Sequence, residues 1–314
     1  MSPPSMSVLQ HKPLEAQNPG IGIDLDWIAA ASAHSAEVER AAASITERTS
    51  VSKNSRSDLL LAISVMDLTT LADDDTDERV RKLCARARQP LPPELAQRLG
   101  TASLHTAAVC IYHQFIKTAL RELQGTQIQV ATVSADFPKG LAPLEERIDQ
   151  IHHSVEAGAH EIDVVIKREH VLKGDWQALY DEVAAFKAAC KPKLMKVILA
   201  TGELQTLENI ARASIVAMMA GADFIKTSTG KEAVNATIPA AIAMARAIRD
   251  YESKTGVSVG FKPAGGIRTS KQALEYLAVV KQELGDRWLQ PGLFRIGASS
   301  VLDDIERTLQ QFAG

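Results

Sequence analysis

The chain has 314 residues, 46% of them hydrophobic and 23% charged, with a formal net charge of −3. That length allows one large domain or two small ones, and the near-neutral balance, without a basic stripe, argues against nucleic acid as a partner. No apolar run approaches the roughly 18 residues that a membrane-crossing helix needs, so no membrane partner is expected.

Residues 1 to about 22 are rich in Pro, Ser, Gln and Asn and lack the apolar stretch of a secretory signal, so they read as a loose tail. Residues 24–48 are Ala- and Glu-rich and predict a helix; the polar residues 50–57 read as a linker. Residues 1–57 are thus expected to be a flexible tail and helical extension, and residues 58–314 a single large domain. From there one rhythm repeats. Short apolar runs rich in β-branched residues, ISVMDL (63–68), AAVCIY (107–112), IQVATV (128–133), EIDVVI (161–166), LMKVIL (194–199), DFIKTS (223–228), SVGFKP (258–263) and LFRIGA (293–298), predict strands. Amphipathic stretches between them, such as LEERIDQIHHSVEAGA and KQALEYLAVVKQELG, predict helices, several of which stop at Gly. Alternating strands and helices imply a parallel sheet covered by helices. Eight units over about 250 residues fit a closed (β/α)₈ barrel. The competing open doubly wound sheet usually begins with a G-x-G-x-x-G turn, which is absent here.

Five charged residues interrupt the apolar runs near their ends: Asp67, Asp163, Lys196, Lys226 and Lys262. Residues two apart share a face of a strand. The apolar neighbours Ile162, Val164, Met195, Val197, Ile225 and Phe261 suit the outer face against helices, so Asp163, Lys196, Lys226 and Lys262 are expected to point inward. A single strand-end lysine is ordinarily a side chain that snorkels to water. Three inward lysines and two aspartates on five strands ask for more: a catalytic cluster, a structural ion-pair network in the barrel core, or both.

Lysine attacks a carbonyl only as the neutral amine, and a free lysine has a pKa near 10.4. A second ammonium favours that form by repulsion. Two charges ~5 Å apart at an effective dielectric of ~20 repel by roughly 3 kcal/mol, about two pKa units. Lys226 and Lys262 fall on the sixth and seventh runs, which are neighbours in a barrel. Asp163 would then move protons, and the iminium would serve as the electron sink without a metal. Gly265-Gly266 and Gly297-Ala298-Ser299-Ser300 follow the last two runs, where barrels often bind phosphate through backbone N–H groups and a helix N-terminus; a tight turn with an N-cap serine is the plainer reading. Thr229-Gly230-Lys231 adds a possible cationic contact, although TSTGK lacks P-loop spacing.

The segments MDLTTLADDDTDERV (66–80), EIDVVI, LMKVILATGEL (194–204), GADFIKTSTGK (221–231), GFKPAGGIRT (260–269) and FRIGASS (294–300) resemble the deoxyribose-phosphate aldolases, a family of class I aldolases. The resemblance implies reversible cleavage of 2-deoxyribose 5-phosphate to glyceraldehyde 3-phosphate and acetaldehyde, with no cofactor and no metal. It implies that Lys226 forms the Schiff base, that Lys262 perturbs Lys226 or relays protons, and that Asp163 shuttles protons. By the same resemblance Asp67 helps to bind substrate hydroxyls, Cys110 lines the pocket, and Thr229, Lys231, Gly265, Gly266, Gly297, Ser299 and Ser300 belong to the substrate and phosphate region. Lys196 is read as a supporting charge behind the reacting groups. The implied partners are phosphorylated sugars, aldehydes and further copies of the chain. Four departures from the family pattern stand out: about 55 residues ahead of the barrel that many bacterial members lack, His113 where proline is common, Ala200 where glutamate is frequent, and an ending QQFAG in place of a tyrosine-bearing tail.

Other classes fit less well. A metal-dependent aldolase needs converging histidines and carboxylates, but His152 and His153 are adjacent and cannot share a helix face, and His160 and His170 flank a strand. A pyridoxal-phosphate barrel would also use a lysine imine. A non-enzymatic barrel scaffold would leave the inward lysines inert. Cys84, Cys110 and Cys190 are odd in number and form no CxxC, which suits a reducing, cytoplasmic setting.

Overall fold

Runs rich in β-branched residues leave their backbone N–H and C=O groups to pair between strands, and all eight runs do so in the computed structural model, which describes residues 18–312. The strands are β1 (Met66–Thr69), β2 (Ala108–Tyr112), β3 (Gln129–Ser134), β4 (Glu161–Val165), β5 (Leu194–Ile198), β6 (Phe224–Lys226), β7 (Gly260–Lys262) and β8 (Ile296–Ala298). They pair in parallel in the order β7-β6-β5-β4-β3-β2-β1-β8. Isolated parallel bridges Phe261↔Phe294 and Ala264↔Gly297 join β7 to β8 and close the ring. The fold is a (β/α)₈ barrel.

The helices are α1 (Leu25–Ala30), α2 (Ser35–Arg48), α3 (Arg56–Ser64), α4 (Asp77–Arg88), α5 (Pro93–Leu99), α6 (Ile116–Glu122) and α7 (Leu144–Glu156), then α8 (Arg168–Leu172), α9 (Trp176–Cys190), α10 (Leu207–Met219), α11 (Ile238–Thr255), α12 (Ser270–Glu283) and α13 (Val301–Phe312). Their starts follow local chemistry. The side chains of Thr76, Asp175, Thr206, Thr237 and Thr269 each accept a hydrogen bond from an N–H in the first turn of the helix that follows. Buried apolar residues form two separate groups. The larger lies between strands and helices and includes Ile162, Val164, Val197, Ile225 and Phe261. The smaller lies inside the barrel, with Cys110, Ala131 and Val133 packed by Leu71, Tyr112 and Phe137.

Four local expectations differ from the structure. Residues 24–48 form two helices instead of one, with His34 in the left-handed region at φ 49. The break is held by Arg212 of α10, which donates to Ala29 O and Ala31 O, carbonyls that a continuing helix would have used itself. Part of the stretch read as a linker is helical: a turn at Lys53–Ser55, closed by a reciprocal Ser52/Ser55 cap, runs straight into α3. That helix takes Ile63 and Ser64, so β1 starts at Met66. The expected loose tail lies, up to residue 17, outside the described residues. From Asn18 onward the chain is tied down at the entrance of β6. The Asn18 backbone N–H donates to Asp223 Oδ1 (2.7 Å) and its side chain donates to Met218 O and Ala222 O (2.8 and 3.0 Å).

Candidate active site

Register and strand alternation bring the charged residues of the lumen together. Asp163 of β4 stands beside Lys196 of β5, and Lys226 of β6 beside Lys262 of β7. Asp67 enters from β1, beside Gly297 of β8. All five charged side chains are buried, with relative exposures of 2% for Lys226 and 0% for the rest. A buried charge must be paired, and here the pairing converges on Asp163. Its Oδ2 lies 2.8 Å from both Lys226 Nζ and Lys262 Nζ, and its Oδ1 lies 2.8 Å from Lys196 Nζ. Lys262 Nζ also lies 2.5 Å from Asp67 Oδ2, an ion contact without hydrogen-bond alignment. Lys196 reaches Glu161 Oε2 at 2.6 Å and Asp67 Oδ2 at 3.6 Å. Lys226 therefore meets one carboxylate, Lys262 two and Lys196 three.

Burial alone would raise the Asp163 carboxyl, but Lys196, Lys226 and Lys262 hold it well below the ordinary carboxylate range. Asp67 and Glu161 are likewise raised by burial and lowered further by Lys262, Arg295 and Lys196 around them. Burial opposes the charge on Lys262, yet Asp163 and Asp67 raise it, so this amine stays an ammonium. Two bare ammonium groups this close would only repel. The structure places a carboxylate oxygen between them, so they lie within twice 2.8 Å of each other but share an anion. The cluster gathers four basic side chains (Lys196, Lys226, Lys262, Arg295) around three carboxylates (Asp67, Glu161, Asp163).

Cys110 Sγ stands 4.0 Å from Asp163 Oδ2, and burial pushes its thiol up. With Ala131 and Val133 it forms the apolar wall of the lumen. Of the remaining residues singled out in the sequence, Thr229, Lys231, Gly265, Gly266, Ser299 and Ser300 lie on one rim, in the segments after β6, β7 and β8, whereas Gly297 lies within β8. Gly265 and Gly266 both adopt positive φ (82° and 78°). A Cβ on Gly230 would come 3.9 Å from Gly265 Cα, so the Thr229–Lys231 loop borders the glycine turn. Thr229 N–H and Gly230 N–H donate to the Glu232 carboxylate, and Lys231 Nζ lies 3.9 Å from Asp73 across the mouth. Ser299 and Ser300 are exposed, directly before α13. Gly297 is buried at the β8 seam; a Cβ there would stand 3.0 Å from Lys262 Cε.

Two buried charges in the lumen escaped the sequence reading, Glu161 and Arg295. The same alternation rule could have found them: Glu161 lies two residues before Asp163, and Arg295 two before Gly297. Among the described residues the histidines do not converge. His152 and His153 are exposed on α7, and His160 Nδ1 accepts from Val130 N–H at 3.0 Å. No helix among the described residues is long and apolar enough to cross a membrane.

A parallel barrel whose lumen gathers lysines around one carboxylate, at the strand ends where such folds carry their chemistry, defines a barrel enzyme of the aldolase class. Comparison with known proteins carries this further. Residues 61–306 match the DeoC/LacD family aldolase. The chain is 52% identical over 295 residues to the deoxyribose-phosphate aldolase of Mus musculus, covering 92% of this chain and 93% of that protein. It is 50% identical over 301 residues to the deoxyribose-phosphate aldolase of Homo sapiens, covering 94% and 95%. The chain belongs to the DeoC/LacD aldolase family. A crystal structure of a putative deoxyribose-phosphate aldolase from Toxoplasma gondii has the same fold, with a TM-score of 0.71 at 22% identity, over 83% of this chain and 99% of that one. The deoxyribose phosphate aldolase of Aeropyrum pernix, described as a unique tetramer, matches with a TM-score of 0.59 at 22% identity, over 82% and 93%.

Proposed function

We propose that the chain reversibly cleaves 2-deoxy-D-ribose 5-phosphate to D-glyceraldehyde 3-phosphate and acetaldehyde, with Lys226 as the lysine that forms the Schiff base. The observation that carries this reading is the convergence of Lys226 and Lys262 on Asp163 Oδ2, each at 2.8 Å, in a buried lumen. Lys226 reacts because, of the three amines, it alone has a single carboxylate partner and keeps 3% of its side-chain surface accessible.

The open-chain sugar presents its aldehyde carbon to the free Lys226 amine. Nitrogen adds, the carbonyl oxygen takes up a proton, and loss of water leaves an iminium. A base removes the proton of the C3 hydroxyl; the C2–C3 bond breaks, and its electron pair flows into the iminium to give an enamine. Glyceraldehyde 3-phosphate leaves. Protonation of the enamine carbon and addition of water release acetaldehyde and return the amine. Asp163 touches both amines and is the group placed to carry these protons. Lys262, held as an ammonium, is the nearby proton donor, and Lys196 steadies Asp163 from behind. Asp67 binds a substrate hydroxyl, and Cys110 with its apolar neighbours faces the acetaldehyde methyl group. The phosphate binds at the rim formed by Thr229, Lys231, Gly265, Gly266, Gly297, Ser299 and Ser300, where backbone N–H groups at the start of α13 favour an anion.

Three free, buried cysteines suit a cytoplasmic protein, and the tetrameric relative supports a homo-oligomer. The test is a coupled assay for glyceraldehyde 3-phosphate release, with borohydride reduction in the presence of acetaldehyde. Wild type should turn over and acquire an adduct at Lys226. Lys226→Ala should fold and lose essentially all activity. Retained turnover in that variant, or an adduct at another lysine, removes Lys226 from the role, and no adduct anywhere favours an inert scaffold.

A further inference from the structure

Glu161 and Arg295 have no part in the steps above, yet they are buried in the same lumen, with relative exposures of 3% and 4%. Arg295 is forked. Its Nη2 donates to Glu161 Oε1 at 2.6 Å, its Nη1 donates to Asp67 Oδ1 at 2.6 Å and to Glu161 Oε2 at 3.1 Å, and its Nε donates to Pro291 O at 2.5 Å. The guanidinium also stands 5.8 Å from the centre of the Phe224 ring. Gly260 leaves room for that ring, since a Cβ there would come within 2.4 Å of it. Arg295 is thus fixed on several sides, and a planar fork of this kind suits two carboxylates at once.

The contacts then climb toward the reacting lysine. Glu161 Oε2 holds Lys196 Nζ at 2.6 Å, and Lys196 Nζ holds Asp163 Oδ1 at 2.8 Å. Only Oδ2 is left for Lys226 and Lys262. A carboxylate turns about its Cβ–Cγ bond, and its two oxygens are equivalent, so what must be held is the plane in which one oxygen faces Lys226. The pull of Lys196 on the other oxygen holds it, and Lys196, on a flexible four-carbon stem, is itself anchored by Glu161.

We infer that Glu161 and Arg295 are positioning residues for the aldol chemistry: together they anchor Lys196 on Asp163 Oδ1 and so keep Asp163 Oδ2 turned to the reacting lysine. This rests on the function proposed above and adds two residues to it. The pair touches Asp67 on β1 and Lys196 on β5; Cys110 on β2, Asp163 on β4, Lys226 on β6 and Lys262 on β7 share its lumen, β3 offers Ala131 and Val133, and His160, next to Glu161 in the chain, lies within its electrostatic reach.

The experiment compares full-length wild type, Glu161→Gln and Arg295→Lys in kcat and KM across the pH range where each is folded. Glu161→Gln keeps the shape and removes one negative charge. Its kcat should fall on the order of 10- to 100-fold through misorientation of the proton carrier, with KM close to wild type. The acidic limb of its pH profile should move to lower pH, because a lumen with one more net positive charge favours the free amine. Arg295→Lys keeps the charge but cannot bridge Asp67 and Glu161 in one plane. Its kcat should fall while the acidic limb stays in place. Wild-type kcat in either variant overturns the inference. So does a loss in Glu161→Gln without displacement of the limb, which marks a purely structural role. If Glu161→Gln does not fold, Arg295→Lys decides; if neither folds, the pair serves the fold and the inference fails. A wild type without turnover overturns the proposed function and this inference with it, a pattern distinct from active wild type with unaffected variants.

Discussion

Asp163 is the residue on which three amines converge, and its removal tests the cluster from two directions. Asp163→Asn keeps the side-chain volume but takes away the one anion that Lys226, Lys262 and Lys196 share. As a proton carrier its loss should lower kcat by on the order of 10²- to 10⁴-fold. As a counter-ion its loss leaves buried ammonium groups short of charge, which should cost about 3–5 kcal/mol of stability. Steady-state kinetics and urea unfolding read these separately. Full activity would remove Asp163 from the chemistry, and unchanged stability would mean that the lysines had already shed their charge. At this scale the sequence was largely legible. Strand alternation alone placed Asp163, Lys196, Lys226 and Lys262 in one lumen, because an outward lysine would have met apolar helices. Glu161 and Arg295 were equally readable by alternation, but they fall at the entry ends of their strands, where a charge is easily taken for a solvated terminus. The sharing of one carboxylate oxygen by two amines was not legible, since it depends on rotamers that only packing fixes.

The strands also bear on the site through their close approaches. Gly297 lies where β8 meets β7, and a Cβ there would stand 2.8 Å from Ala264 Cβ and 3.0 Å from Lys262 Cε. Gly297→Ala should therefore crowd the seam, costing about 1–3 kcal/mol, and push Lys262 from Asp163. The expected outcome is a lower melting temperature with a fall in kcat; a rise in KM alone would instead assign Gly297 to phosphate binding. At the entrance of β6 the clasp around Asn18 is separate from the chemistry. The side chain donates to two carbonyls and accepts from Gly20 N–H and Tyr251 OH at 3.0 and 3.2 Å. Asn18→Ala leaves these buried groups unmatched and should lower the unfolding free energy by about 1–3 kcal/mol, seen as an earlier urea midpoint, with kcat of the folded enzyme unchanged. No shift in the midpoint would show the residues around Asn18 to be dispensable for the barrel. Elements with strong local signals, the β-rich runs and the Thr-capped helices, were legible from sequence. The break between α1 and α2 was not, because it is enforced by Arg212, about 180 positions away in the chain. The start of β1 was misplaced because a short apolar run such as ISV fits a helix end as well as a strand.

For the whole molecule the lumen network sets how stability follows pH, and the sign can be worked out group by group. Asp67, Glu161 and Asp163 have folded values below their ordinary ones of 3.8, 4.5 and 3.8, so each favours the folded state while ionised in both states. That contribution is complete above the ordinary carboxylate range and is lost as pH falls through the folded values. Lys196 and Lys262 are raised above 10.5, so their contribution is complete below that pH and is lost only on the far alkaline side. Asp223 opposes the trend. Burial raises its carboxyl above 3.8 against the pull of Lys187, so its protonation on acidification partly offsets the losses elsewhere. Elsewhere, against burial, His170 and Arg147 lower Glu182, and burial raises Glu275; the lowered carboxyls outnumber the raised ones, which leaves the acid side dominant. The unfolding free energy should be nearly level through neutral pH and fall steeply once the pH drops below about 4. Urea midpoints measured at a series of pH values check this, and the slope should flatten in Asp163→Asn, which removes one of the three groups. Stability that holds level or rises on acidification through that range would mean that these carboxyls are not ionised in the folded barrel, and the charge pairing that places the lysines would have to be redrawn.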